Sequence, residues 1–172
     1  MITRARAVLT KKTKLGWAME ITKAEIRDLP SILALQKLAY RSEAELVEDF
    51  SIPPLTQTLD GITDDFNGGL ILKAVDNEKI IGSVRVRLSE NTAYIGRLIV
   101  DPERQNQGIG TALLSAAEKI YSGVRLELFT SERSSRTLSI YTKNGYAEFR
   151  REPLNDKVNL VFLEKVLSND NT

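Results

Sequence analysis

The residues of this chain best placed to do chemistry lie between positions 99 and 114, Ile-Val-Asp-Pro-Glu-Arg-Gln-Asn-Gln-Gly-Ile-Gly-Thr-Ala-Leu-Leu. A β-rich run ends at Asp101-Pro102, a polar turn follows, and Gly108 and Gly110 open a strongly periodic stretch. This layout aims a helix N-terminus, with its unpaired backbone N–H groups and partial positive charge, at an anion. The two glycines remove the side chains that would keep a pyrophosphate away from those amides. The chemistry implied is the binding of a phosphate-bearing cofactor.

The elements that must position this turn are legible on both sides of it. Ile109, Ala112, Leu113, Ala116, Ala117 and Ile120 recur at the spacing of one buried helical stripe. Residues 93–100 read as the strand before the turn, and residues 124–130, with Leu126 and Leu128 on one face, as the strand after the helix. Strand, helix and strand with short connections predict a right-handed βαβ unit with parallel strands. Ligands of such units sit beyond the carboxyl ends of the strands, where the 105–110 turn falls.

Gln105-x-x-Gly108-x-Gly110, preceded by Val100-Asp101-Pro102 and followed by Ala112-Leu113-Leu114, resembles the acyl-CoA-binding motif of the GNAT N-acetyltransferase family. A second stretch, Ser134-Ser135-Arg136-Thr137-Leu138-Ser139-Ile140-Tyr141-Thr142-Lys143-Asn144-Gly145-Tyr146, is similar to that family's later helix. That helix has a small polar start, then Leu/Ile-Tyr, then a Gly-aromatic stop. The two motifs occur in the family's order, and with the flanking elements the resemblance covers residues 19–166. Either glycine motif alone would carry little; the pair in its setting carries the placement. Residues 42–58 also resemble a bacterial subgroup of the family with no assigned substrate.

The resemblance implies the acyl-CoA N-acyltransferase (GNAT) fold, whose strands ending at Val100 and starting at Val124 splay apart to hold a pantetheine arm. It implies acetyl-CoA as cosubstrate, with no metal. Backbone groups of Leu98, Ile99 and Val100 would line the arm, and Gln105, Asn106, Gln107, Gly108, Ile109, Gly110 and Thr111 would form the cofactor loop. Ser134 and Thr137 could supply hydroxyls where the family often has Asn; an N-cap is the alternative role for Ser134. The implied reaction moves an acetyl group to a primary amine, with Tyr141 as general acid to the departing CoA thiolate. The alternative for Tyr141 is a ring packed beneath its helix.

The general base is where the sequence departs from the family pattern. Gly96 occupies the position at which many relatives carry Glu, and residues 91–100 hold no carboxylate. Glu127 and Glu132 are nearby substitutes, a water chain is another, and the base stays unassigned. A non-catalytic acyl-CoA-binding regulatory domain is therefore the alternative to an enzyme. Between Glu43 and Asp65 the chain carries Glu43, Glu45, Glu48, Asp49, Asp60, Asp64 and Asp65 with no Lys or Arg. In the resembled fold this stretch walls the acceptor site, which favours a cationic amine, a small molecule or a protein amine. A solvated helix face is the plainer account of the same charges.

Composition narrows the classes. The 172 residues suffice for one domain with a full core. The chain has no histidine and no cysteine, which removes Ser-His-Asp chemistry, thiolate nucleophiles, disulfides and zinc hydrolysis. No apolar run approaches the roughly 20 residues of a membrane span. Arg4, Arg6, Lys11, Lys12 and Lys14 make residues 1–18 basic without a single acid. That segment lacks a signal peptide's apolar centre and reads as a loosely ordered extension, with Met19 as a second possible start. The expected organisation is a basic extension over 1–18, a single domain over 19–166 and a short tail over 167–172. A cytoplasmic enzyme that binds neither nucleic acid nor membrane is expected, and the family resemblance adds a homodimer.

The remaining elements follow from local signals. Residues 19–23 read as a strand, and Pro30 stands in the first turn of a helix carrying Ile32, Leu33, Leu35 and Leu38. Pro53-Pro54 must break it, and Thr56 or Thr58 could cap a second helix that Asn67-Gly68-Gly69 ends. Residues 70–75 and 79–88 read as a hairpin, and residues 146–151 and 157–166 as the last two strands. Propensity alone gives a mixed, mostly antiparallel α+β sheet with one parallel crossover.

Overall fold

The computed structural model describes residues 9–12 and 18–166. One eight-stranded sheet organises them, in the order β1-β2-β3-β4-β5-β6-β8-β7. Its strands are β1 (Leu9–Lys12), β2 (Ala18–Lys23), β3 (Leu70–Asp76), β4 (Lys79–Ser89), β5 (Thr92–Val100), β6 (Arg125–Ser131), β7 (Ala147–Asn155) and β8 (Val158–Val166). Only β5 and β6 run parallel; every other neighbouring pair is antiparallel. The mixed sheet with a single parallel crossover is thus the architecture the sequence predicts. Part of the basic extension is strand, since Leu9–Lys12 pair with Ala18–Ile21. Residues 1–8, 13–17 and 167–172, which belong to the expected extension and tail, lie outside the described residues.

Helices cover both faces of the sheet: α1 (Leu29–Ala39), α2 (Arg41–Val47), α3 (Pro53–Thr56), α4 (Leu59–Gly68), α5 (Ile109–Ile120) and α6 (Ser135–Lys143). α5 lies across β3, β4 and β5. Its stripe Ile109, Ala112, Leu113, Ala116 and Ala117 is buried against Leu72, Val84, Val86, Ala93 and Ile95, while Ile120 at the end of the stripe emerges. On the opposite face α1 and α4 bury Leu29, Ile32 and Ile62 against Ile71. Leu38, counted in the expected stripe of α1, is exposed. The prolines do not break the expected helix, which is two helices, α1 and α2, the second ending at Val47 with Glu48 in a left-handed cap. They open a new one instead: Pro53 and Pro54 fill the first positions of α3, where a missing N–H costs nothing. Thr58 caps α4, its side chain accepting from the Gly61 amide at 3.1 Å.

Two irregularities of β5 shape the centre of the molecule. Ser83 pairs with Ile99 but Arg85 with Gly96, so β5 carries one residue more than β4 across this step. Arg97 sits in that bulge with φ of 48°. The parallel pairing of β5 with β6 spans only Thr92–Tyr94 against Arg125–Glu127. Beyond Tyr94 and Glu127 the two strands part, which is the splay the family resemblance implies. No helix among the described residues is long and apolar enough to cross a membrane.

Candidate active site

The opening between β5 and β6 is flanked by the start of α5 and the body of α6, which face each other across a groove of about 330 Å³. The loop side of the groove is made by Val100, Arg104, Asn106, Gly108, Ile109, Gly110 and Thr111. Gly108 precedes the helix with φ of 81°, a left-handed conformation that suits glycine. Gly110 is different. A Cβ there would meet Val100 Cγ2 at 3.8 Å and Leu98 Cδ2 at 3.9 Å, ordinary contacts, so nothing inside the protein demands glycine at that position. The absent side chain leaves room on the groove side. Ile109, Gly110 and Thr111 form the first turn of α5, whose amides have no intrahelical acceptor.

Three cations add to that field: Arg104, Arg136 and Lys143 all line the groove. Arg104 is tied to Asp76 at 2.7 Å and donates to Gln107 Oε1 at 3.1 Å. Arg136, at the start of α6, reaches across to donate to Gln105 Oε1 and, at 3.4 Å, to Asn106 Oδ1. Gln107 therefore holds Arg104 of the loop, and Gln105 holds Arg136 of α6. Asp101 braces the turn before them, accepting from the Glu103 amide at 3.0 Å and from Lys79 at 2.9 Å. Burial works against its charge, but Lys79, the Glu103 amide and Arg104 outweigh burial and hold the carboxyl below its usual range. Free amides, cations and a missing Cβ fit a pyrophosphate-bearing ligand such as the CoA moiety.

The structure sorts the expected site residues. Val100, Asn106, Gly108, Ile109, Gly110 and Thr111 wall the groove, together with Ser139, Ile140 and Asn144 of α6, which the motif contained without singling out. Leu98 and Ile99 continue β5 beside them, Leu98 packing on the core and Ile99 buried. Gln105, Gln107 and Thr137 stand outside the walls. Ser134 occupies the N-cap position of α6 yet makes no capping bond. Its hydroxyl donates instead to the carboxylate of Glu43 on α2, at 2.5 Å to each oxygen. Glu43 and Ser134 are 91 positions apart, and no local pattern announces that pair.

Tyr141 is not among the residues that wall the groove; it lies next to a second polar cluster. It is buried, with its ring 6.0 Å from that of Tyr146. Tyr146 donates its hydroxyl to Glu118 at 3.0 Å; the Tyr141 hydroxyl has no such partner among the described residues. Burial, then the nearby Tyr40 and Glu43, push the Tyr141 hydroxyl far above the ordinary tyrosine range. It stays protonated and can only give a proton to a strong acceptor. Glu43 is itself pushed up by burial and partly held back by Ser134. Tyr40, at the junction of α1 and α2, lies under the Arg97 guanidinium, 5.9 Å from the ring centre.

Beside this cluster Arg85 is 8% exposed and closes a buried network. It donates to Asp65 at 2.5 Å, to Gln57 at 3.0 Å and to Gln36, while Gln36 donates to the Pro54 carbonyl at 2.8 Å. One guanidinium thus ties β4 to α1, α3 and α4. Across the ladder from it, a Cβ on Gly96 would meet nothing within 4 Å.

Comparison with known proteins adds four likenesses. A family profile described as "Acetyltransferase (GNAT) domain" matches residues 67–148. Over 116 residues the chain is 29% identical to the UPF0157 protein YqkA of Bacillus subtilis, an overlap of 67% of this chain and 33% of that protein. Over 80 residues it is 32% identical to the spermidine N(1)-acetyltransferase of Thermoplasma acidophilum, covering 45% of this chain and 50% of the relative. The chain thus spans at most half the length of these two curated relatives. Among solved structures, the PaiA N-acetyltransferase of Thermoplasma acidophilum in complex with coenzyme A shares the fold, with a TM-score of 0.70, 23% identity, and coverage of 86% of this chain and 98% of that one. Residues 67–148 thus match the GNAT acetyltransferase domain in sequence, and the fold around them is that of a GNAT acetyltransferase.

Proposed function

We propose that this protein transfers an acetyl group from acetyl-CoA to a primary amine that it meets as the ammonium ion. The observation that carries this reading is the groove at the β5–β6 split, where first-turn amides of α5 and the side chains of Arg104, Arg136 and Lys143 converge. Tyr141 gives its proton to the departing sulfur, a role supported by its place on α6, the helix whose Ser139, Ile140 and Lys143 wall the groove, and by a hydroxyl that burial keeps protonated. The relative named for spermidine supports a polyamine-like acceptor.

The acid-rich stretch supports a cationic acceptor more narrowly than its length suggests. Asp65 is spent on Arg85, Asp49 on Ser51, and Glu48 faces Arg133 and Lys157. Glu45, Asp60 and Asp64 remain exposed, and Glu43 lies inside. An aliphatic amine with a pKa near ~10.4 arrives protonated at neutral pH, so even a simple monoamine is a cation here.

The test is thermal melting with acetyl-CoA, CoA and ATP at matched concentrations. A ligand at 100 times its Kd adds about 2.7 kcal/mol, which is several degrees at about 2–4 °C per kcal/mol for a chain of this size. Stabilisation by acetyl-CoA and CoA but not ATP is expected; no shift with either thioester or thiol overturns the reading. An amine panel followed by thiol release then ranks acceptors, without background from protein cysteine, of which there is none. Neutral or anionic amines outperforming polyamines would remove the cationic acceptor.

A further inference from the structure

Amine acetylation needs a group that takes the ammonium proton. The chain has no histidine and no cysteine, and β5, which borders the groove, carries no carboxylate. Sorting the acids by what holds them leaves one. Among the described residues the buried and half-buried acids are otherwise ion-paired: Asp28 with Lys73, Asp76 with Arg104, Asp101 with Lys79, Glu118 with Lys165, Glu127 and Glu164 with Arg125. Glu25 lies on Arg27, and Glu132 on Arg151. Asp49 is turned back on the amide and hydroxyl of Ser51. Glu43 has no cation at ion-pair distance, and its side-chain partner is a hydroxyl, that of Ser134.

The position of Glu43 suits the task. It lies in the first turn of α2, one turn after Tyr40. Ser134, which it accepts from, stands seven residues before Tyr141, so the two lie on one side of α6. The charge of Glu43 is felt at the hydroxyls of both Tyr40 and Tyr141. The groups around this carboxylate are Tyr40 from its own helix junction and Ser134 and Tyr141 from α6; Tyr40 in turn feels Arg97 from β5, which lies over its ring, and Arg85 from β4.

Building on the acetyltransferase reading, we propose that Glu43 is the general base, accepting a proton from the acceptor ammonium while Tyr141 serves as the acid. Glu43 takes one proton from the ammonium, and the freed amine nitrogen bonds to the acetyl carbon as the carbon–sulfur bond breaks. Tyr141 protonates the sulfur, and the second proton lost by the nitrogen restores the phenol. Glu43 then releases its proton to solvent, leaving an amide and a thiol. Ser134 is a positioning residue: its hydroxyl, within hydrogen-bond distance of both carboxylate oxygens, fixes the orientation of the Glu43 carboxylate.

The test is kcat against pH at saturating amine, using whichever of 1,4-diaminobutane, spermidine and a lysyl peptide turns over fastest. Burial sets the acid limb of the wild type above the ordinary carboxylate range. Glu43→Gln should remove that limb and lower kcat by roughly 10²–10⁴-fold, with acetyl-CoA binding by calorimetry unchanged. Ser134→Ala deletes the bond that favours the charged carboxylate, so its acid limb should move to higher pH; a merely structural role would not move it. Glu43→Asp should restore part of the activity and the limb. A Glu43→Gln enzyme within a few-fold of wild type, or one that keeps the acid limb, overturns the assignment. A wild type that binds acetyl-CoA but acetylates none of the three amines overturns the acetyltransferase reading, and this proposal with it.

Discussion

Tyr141 is buried with its ring against Tyr146, and its hydroxyl enters no hydrogen bond with the side chains of the described residues. Removing that oxygen leaves the ring packing intact and breaks no protein hydrogen bond, so Tyr141→Phe should change folding stability by less than about 1 kcal/mol. If the hydroxyl supplies the leaving-group proton, kcat should fall about 10²-fold or more with the KM for acetyl-CoA preserved. Thiol-release kinetics beside a melting curve separate the two effects, and an unchanged kcat would reduce the residue to packing. At this scale the sequence speaks unevenly. The tyrosine is visible because it stands in a motif. Ser134 is visible too, but both expected uses of its hydroxyl miss the observed one, a bond to Glu43 from another part of the chain. Arg136 and Lys143 lie inside the same motif, and only the folded groove shows that their charges converge with the loop amides.

At the scale of elements, α5 couples stability and binding with opposite signs. Gly110 lies in its first turn, and an added Cβ meets only ordinary contacts inside the protein. Gly110→Ala should therefore raise stability by up to about 1 kcal/mol through helix propensity, while the new methyl intrudes on the groove and weakens acetyl-CoA at least tenfold. Melting temperature and calorimetric affinity moving in opposite directions would mark the glycine as kept for the ligand; both rising would refute that. The helix itself was legible because its stripe is long and regular, and five of its six predicted positions are buried. Short elements were harder. The pair Pro53-Pro54 reads as a breaker, yet the preceding helix has ended at Val47 and the prolines start a new one. The bulge at Arg97 carries no sequence signal, because an extra residue in a strand is defined by its partner strand.

For the whole molecule, sequence reasoning recovers seven of the eight described strands, missing β1 inside the basic extension, and does not recover their order. Placing β8 between β6 and β7 depends on which faces can be buried together, and no local pattern encodes it. The same holds for the Arg85 network, which joins four elements through residues between positions 36 and 85. The parted strands have a consequence of another kind. A sheet ordinarily has two rims, at its first and last strands, where backbone groups face outward unpaired. This sheet has four, because past Tyr94 and Glu127 the inner borders of β5 and β6 also lack a neighbouring strand. Those inner rims can be satisfied by water, by an intruding peptide, or by the amide-bearing arm of a ligand lying where a strand is missing. Hydrogen exchange should then find those amides of residues 98–100 and 128–131 that are not bonded to β4 or β8 poorly protected in the free protein and slowed when acetyl-CoA binds, with β3 and β4 unaffected. A cosubstrate that does this acts as a ninth, borrowed strand, and the fold is completed each time the enzyme loads.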